Sequence, residues 1–78
     1  MESPLKYTEI AEAMRRDIER AALAPHERFL TDREAVERYG ASRITIRRAF
    51  SLLEEEGLIY RVRGRGTMIN PNPGKKIR

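Results

Sequence analysis

Arginine dominates the second half of the chain, at positions 33, 38, 43, 47, 48, 61, 63, 65 and 78. Residues 33–78 hold eleven basic and five acidic side chains, a net of +6, whereas residues 1–32 hold five basic and seven acidic, a net of −2. The formal charge of +4 for the whole chain hides this asymmetry. A guanidinium is a planar fork of N–H donors that matches a phosphate or the O6 and N7 edge of guanine. Among the arginines of SRITIRR, residues 42–48, stand two hydroxyl side chains, Ser42 and Thr45, which can donate to phosphate oxygens. The chemistry these residues suit is recognition of an anionic polymer, with nucleic acid the leading candidate; a solvated charged surface is the plainer alternative.

Turnover has little support. His26 stands alone beside Pro25, with no cysteine anywhere in the chain to partner it. Glu54, Glu55 and Glu56 are adjacent on what reads as a helix end, so they point in different directions and make neither a paired carboxylate nor a metal cage. Gly64-x-Gly66 lacks the glycine and lysine spacing of a nucleotide loop. No catalytic residue, metal ligand or cofactor is expected.

The arginines must be held by short elements. Ser3 and Pro4 suit a helix start, and Tyr7, Ile10, Met14, Ile18 and Ala21 or Ala22 recur at spacings of three and four, which predicts a helix to about Ala22. Pro25 stops it, and Arg28-Phe29-Leu30 is at most a short extended connector. Thr31 and Glu34 have the spacing of a capping box and predict a second helix from about Asp32 to Tyr39, with Val36 and Tyr39 turned inward and Gly40 as its stop. Ser42 then caps a third helix, which makes a helix-turn-helix.

Residues 43–47 also alternate polar and apolar as a strand would. In a helix Ile44 and Ile46 lie about 200° apart, at ~100° per residue, so one of them must face water. Ile46, Ala49, Phe50 and Leu53 decide the matter, because positions 0, +3, +4 and +7 form a helical stripe over about residues 43–56. With Ile46 buried, Ile44, Arg48 and Ser51 point outward and Thr45 and Arg47 lie on the flanks. After Gly57 the alternation of residues 58–63 predicts a strand with Leu58, Tyr60 and Val62 on one face and Arg61 and Arg63 on the other. Gly64-Arg65-Gly66 turns the chain, and residues 67–70 return. The expected fold class is mainly α with a small β-hairpin, a winged helix-turn-helix over residues 1–70, followed by a linker or tail at 71–78.

Seventy-eight residues make one domain of modest stability, and 40% hydrophobic with 36% charged residues is a globular composition. The lack of cysteine suits a reducing compartment, no apolar run approaches the ~20 residues that span a bilayer, and the first residues lack the features of a signal peptide. A cytoplasmic protein without a membrane partner is expected.

Three motifs carry a family resemblance. Ser42-Arg43-Ile44-Thr45-Ile46-Arg47 is similar to the S-R-x-T-[VI]-R of the GntR family of bacterial transcription regulators. Residues 52–59, LLEEEGLI, are similar to its L-x-x-E-G-L-[IV], and residues 64–69, GRGTMI, resemble its wing, G-x-G-T-[FY]-V. All three occur in order, and the likeness to the DNA-binding domain covers about Pro4 to Ile69; the Tyr60-Arg61 strand resembles the HutC-like branch. The resemblance implies that the helix at 43–56 enters the major groove and that Arg33, Arg43, Thr45 and Arg47 contact DNA. On the wing at about 58–69, Arg61, Arg63 and Arg65 can reach the backbone or a minor groove, with Gly64 and Gly66 allowing close approach; a plain solvated hairpin is the alternative. Ser42, Ile44 and Arg48 join this set from their own places on the outer face. The implied partner is double-stranded DNA, a palindromic operator bound by two copies of a repressor.

The sequence departs from the family at His26, where glycine is usual, at Leu30 for proline, at Thr31-Asp32 for serine and glutamate, and at Ala35 for leucine. Family members normally continue into a C-terminal domain that binds a small effector and dimerises. This sequence stops at Arg78, so a fragment or a stand-alone domain is expected, with an effector only if such a domain exists. Two other readings stand beside the operator binder: a winged-helix module that binds protein, and a non-specific RNA or single-strand binder, which lacks stacking aromatics beyond Tyr60.

Overall fold

The structure, a computed structural model, describes residues 6–71; Ser3, Pro4 and the tail at 72–78 lie outside this range, and the start expected there for the first helix is overturned, because Lys6 is extended and is itself the N-cap. The elements run α1 (Tyr7–Ala21), α2 (Asp32–Tyr39), α3 (Arg43–Glu55), β1 (Ile59–Val62) and β2 (Gly66–Ile69).

Each helix end is closed by the residues that flank it. At α1 the Glu9 carboxylate accepts from the Lys6 N–H at 2.9 Å. The Thr31 hydroxyl accepts from the Glu34 N–H at 3.1 Å while the Glu34 carboxylate accepts from the Thr31 N–H at 2.9 Å, so the capping box of α2 is fully formed. Gly40, at φ 66°, closes α2 in the left-handed conformation. Ser42 caps α3 by accepting from the Thr45 N–H at 3.2 Å.

The far end of α3 is a Schellman motif: the Leu58 N–H reaches the Leu53 carbonyl at 3.1 Å and the Gly57 N–H reaches Glu54 at 3.0 Å. Buried Asn70 bolts the end of β2 onto this turn, donating from Nδ2 to the Gly57 carbonyl at 2.7 Å. Three glutamates at this end oppose the helix dipole. Glu56 is offset by Arg15 of α1, whose guanidinium grips the carboxylate at 2.8 and 2.7 Å.

The core lies between α1 and α3. Ile10, Ala11 and Met14 meet Ile46, Ala49, Phe50 and Leu53, all fully buried, and Ala35, Ala41, Ile59 and Ile69 close the edges. Burial of each large apolar side chain contributes about 1.5–3 kcal/mol, which is how so small a domain offsets its chain entropy. On α2 the inward centre is Ala35 rather than Val36 or Tyr39, which are half-buried at its margins.

β1 and β2 pair antiparallel, with Ile59 opposite Ile69 and Val62 opposite Gly66. The phase expected for β1 is overturned. Leu58 is consumed by the helix-ending motif, so the strand starts one residue later and every side chain changes face. Ile59 is buried and Arg61 follows it toward α3, its guanidinium 5.4 Å from the centre of the Phe50 ring. The connector does more than join α1 to α2. It lies along β2, with the Phe29 N–H bonded to the Thr67 carbonyl at 2.8 Å and the Ile69 N–H to the Glu27 carbonyl at 2.9 Å. Its turn, Ala24-Pro25-His26-Glu27, closes with the Glu27 N–H on the Ala24 carbonyl at 3.0 Å and holds His26 at φ 67°, the third turn position that favours glycine. The Tyr60 hydroxyl, 2.7 Å from His26 Nδ1, helps to hold the ring there.

Candidate nucleic-acid interface

The N-terminal turns of α3 present Arg43, Ile44, Arg47 and Arg48 to solvent while Ile46 is buried behind them. Ile44 is 74% exposed, as its helical phase requires. Ser42 and Thr45 flank this face, their hydroxyls 3.0 Å apart. Arg48 leans back onto α1, its guanidinium 5.1 Å from the centre of the Tyr7 ring, and a shallow groove of about 460 Å³ lined by both residues and Ile44 runs beside them.

A second groove, of about 570 Å³, separates α3 from the wing. Arg33, Arg47, Arg61 and Arg63 line it, and among the described residues its only carboxylate is Asp32. That aspartate opens α2, where the helix dipole favours a negative charge. Its Oδ1 accepts from Arg61 Nη2 at 3.0 Å, and its Oδ2 lies 3.9 Å from Arg47 Nε. Four guanidiniums around one carboxylate leave the groove strongly positive, so an anion is its natural occupant.

The arginines therefore differ in freedom. Arg61, only 27% exposed at its side chain, is a strut between Asp32 and Phe50, which the sequence did not suggest. Arg33, Arg43, Arg63 and Arg65 make no ion pair with the described residues. Arg47, 63% exposed, is held loosely. Gly64 and Gly66 also part company. A Cβ at Gly64 would meet open space, whereas one at Gly66 would lie 3.0 Å from the Leu30 carbonyl, so Gly66 serves the packing of the wing onto the connector rather than an approaching ligand.

Away from the grooves, ion pairs brace the scaffold. The Tyr39 hydroxyl donates to Asp17 Oδ2 at 2.6 Å and Arg38 Nε joins it at 3.1 Å. Burial would raise the Asp17 carboxyl, but these two bonds outweigh it and hold it below its ordinary range, while burial and the same carboxylate push the Tyr39 hydroxyl far up. Among the described residues no three His, Asp or Glu side chains converge as a metal site, and no helix is long and apolar enough to cross a membrane.

Comparison with known proteins returns the same architecture. The gntR family of bacterial regulatory proteins matches residues 6–69. The chain is 40% identical over 70 residues to the transcriptional repressor NagR of Bacillus subtilis, covering 88% of this chain and 29% of that protein. It is 35% identical over 69 residues to the histidine utilization repressor of Klebsiella aerogenes, again over 88% and 29%. The chain thus spans about 29% of the length of these relatives. Among solved structures, the possible transcriptional regulator YydK from Bacillus subtilis superposes with a TM-score of 0.79 at 30% identity, over 95% of this chain and 31% of that one. The DNA-binding domain of AraR, crystallised with an operator, superposes with a TM-score of 0.74 at 32% identity, over 88% of this chain and 92% of that one. A helix-turn-helix with its arginine face outward, a wing built on a third extended segment and the match over residues 6–69 together place the chain in the GntR family of bacterial regulatory proteins.

Proposed function

We propose that the chain reads a specific duplex DNA sequence as the DNA-binding part of a bacterial transcription repressor. α3 occupies the major groove, with Arg43, Ile44, Thr45 and Arg47 toward base edges and Ser42 and Arg48 toward phosphates. Arg33 and the wing tip, Arg63, Gly64 and Arg65, rest on the adjacent backbone or minor groove. Two copies bind the two halves of a palindromic operator, as the symmetry of such sites favours. The observation that carries this reading is the exposed row of Arg43, Ile44 and Arg47 beside a groove with four guanidiniums and one carboxylate. Relatives named as repressors and an AraR domain crystallised with its operator support it.

The test is titration with duplex DNA at two salt concentrations. Neutralisation of about six phosphates weakens binding about a thousandfold between 50 and 200 mM salt. Affinity that ignores salt, or that favours single strands over duplex, contradicts the proposal.

A further inference from the structure

We infer that Asp32 is a positioning residue that sets DNA specificity, by turning the outer edge of the Arg47 guanidinium toward the bases and by keeping phosphates from taking it. The inference rests on the DNA-binding reading above and deepens it. Asp32 stands at the junction of three elements: its own α2, the β1 strut Arg61 at 3.0 Å and the α3 side chain Arg47 at 3.9 Å. The two contacts are unequal. Arg61 is tied to Oδ1 and stacked on Phe50, so it fixes where the carboxylate sits. Arg47 is held more loosely, its Nε 3.9 Å from Oδ2, and its terminal pair of nitrogens has no hydrogen bond to the described residues. That terminal pair is one of the two donor pairs a guanidinium can offer a guanine edge, and a carboxylate on Nε selects it. The same negative charge, the only one among the described residues lining the groove, repels a phosphate that would otherwise compete for Arg47.

An uncharged residue at position 32 should therefore release Arg47 to bind any phosphate in reach. The experiment starts from a duplex enriched by the wild-type chain from a random pool, with a scrambled duplex of equal length as control. Asp32→Asn is expected to lower the ratio of selected to scrambled affinity about tenfold, with scrambled affinity unchanged or higher. In an Arg47→Ala background the same substitution is expected to leave the ratio unchanged, because the side chain it positions is gone. Asp32→Ser, a smaller uncharged substitution, replaces the asparagine variant if that chain does not fold. Equal loss on both duplexes, or an undiminished effect without Arg47, would make Asp32 a purely structural residue and overturn the inference. A wild-type chain that enriches no duplex would instead sink the DNA-reading proposal itself.

Discussion

The Arg48 guanidinium lies 5.1 Å from the centre of the Tyr7 ring, which joins the first turn of α1 to the outer face of α3. A cation over an aromatic face is worth about 0.5–1 kcal/mol at an exposed site, and here it limits where the Arg48 charge can wander. Tyr7→Leu is expected to weaken selected and scrambled duplexes alike by about threefold, as befits a phosphate contact, while Tyr7→Phe keeps the wild-type affinity. A phenylalanine variant as weak as the leucine one would show that the hydroxyl, not the ring, is what matters.

Among the described residues Ile44 is the large apolar side chain left in water, 74% exposed beside Arg43, Arg47 and Arg48. The thymine C5-methyl is the apolar feature of a major-groove base edge, so Ile44 is expected to read a thymine in each half-site. Ile44→Ala should leave the melting temperature nearly unchanged and reduce affinity for the selected duplex more than for a scrambled one. Uracil in place of that thymine should reproduce the loss in the wild type and add nothing in the variant. A large drop in melting temperature would contradict the exposure of Ile44.

The two wing glycines make a paired test of packing. Gly64→Ala meets only the cost of φ +82°, about 1–2 kcal/mol, whereas Gly66→Ala adds a Cβ 3.0 Å from the Leu30 carbonyl to a φ of +98°. Denaturant unfolding should therefore rank Gly66→Ala as the more destabilised variant. The reverse order would mean that the connector does not hold the wing as described.

Acid should unfold the protein through its braced carboxylates. The Thr31 N–H holds Glu34 low, the Arg15 bridge holds Glu56 low, and the Tyr39 and Arg38 bonds hold Asp17 low against the effect of burial. A carboxyl whose folded value is depressed contributes stability that is complete above its unfolded pKa, about 4, and lost as the pH falls through the folded value. Melting temperature should be flat from pH 7 to about 5 and drop below about 4. Tyr39→Phe should cost about 1 kcal/mol at pH 7, and that cost should shrink in acid, where Asp17 is protonated with or without its partner. A cost independent of pH would show that the hydroxyl does not act through Asp17.

Much of this was legible residue by residue. Three separate signals fix α3: the Ser42 cap, the Ile46-Ala49-Phe50-Leu53 stripe and the glycine stop at position 57, and all three hold. The capping box at Thr31 is equally local. The wing phase is not legible in the sequence, because a Schellman motif and a strand start compete for Leu58, and periodicity alone cannot award it. Alternation alone puts Arg61 on the outer face, whereas its first partner is Asp32, 29 residues away in sequence. The same distance problem hid the Arg15 clamp on Glu56, 41 residues apart, and the role of Asp32 between two arginines. Local caps and stripes can be read from neighbours; ion pairs between elements require the fold.

Arg47 carries the central proposal, since it alone both lines the wing groove and stands in the exposed row of α3. The most direct measurement is the affinity of Arg47→Ala for a duplex selected by the wild-type chain and for a scrambled duplex of the same length. A base-reading arginine should cost about 1–3 kcal/mol on the selected duplex, relax preference at one base pair and cost far less on the scrambled one. Equal losses on both duplexes would contradict sequence reading by α3 and leave only a basic surface that holds DNA without regard to sequence.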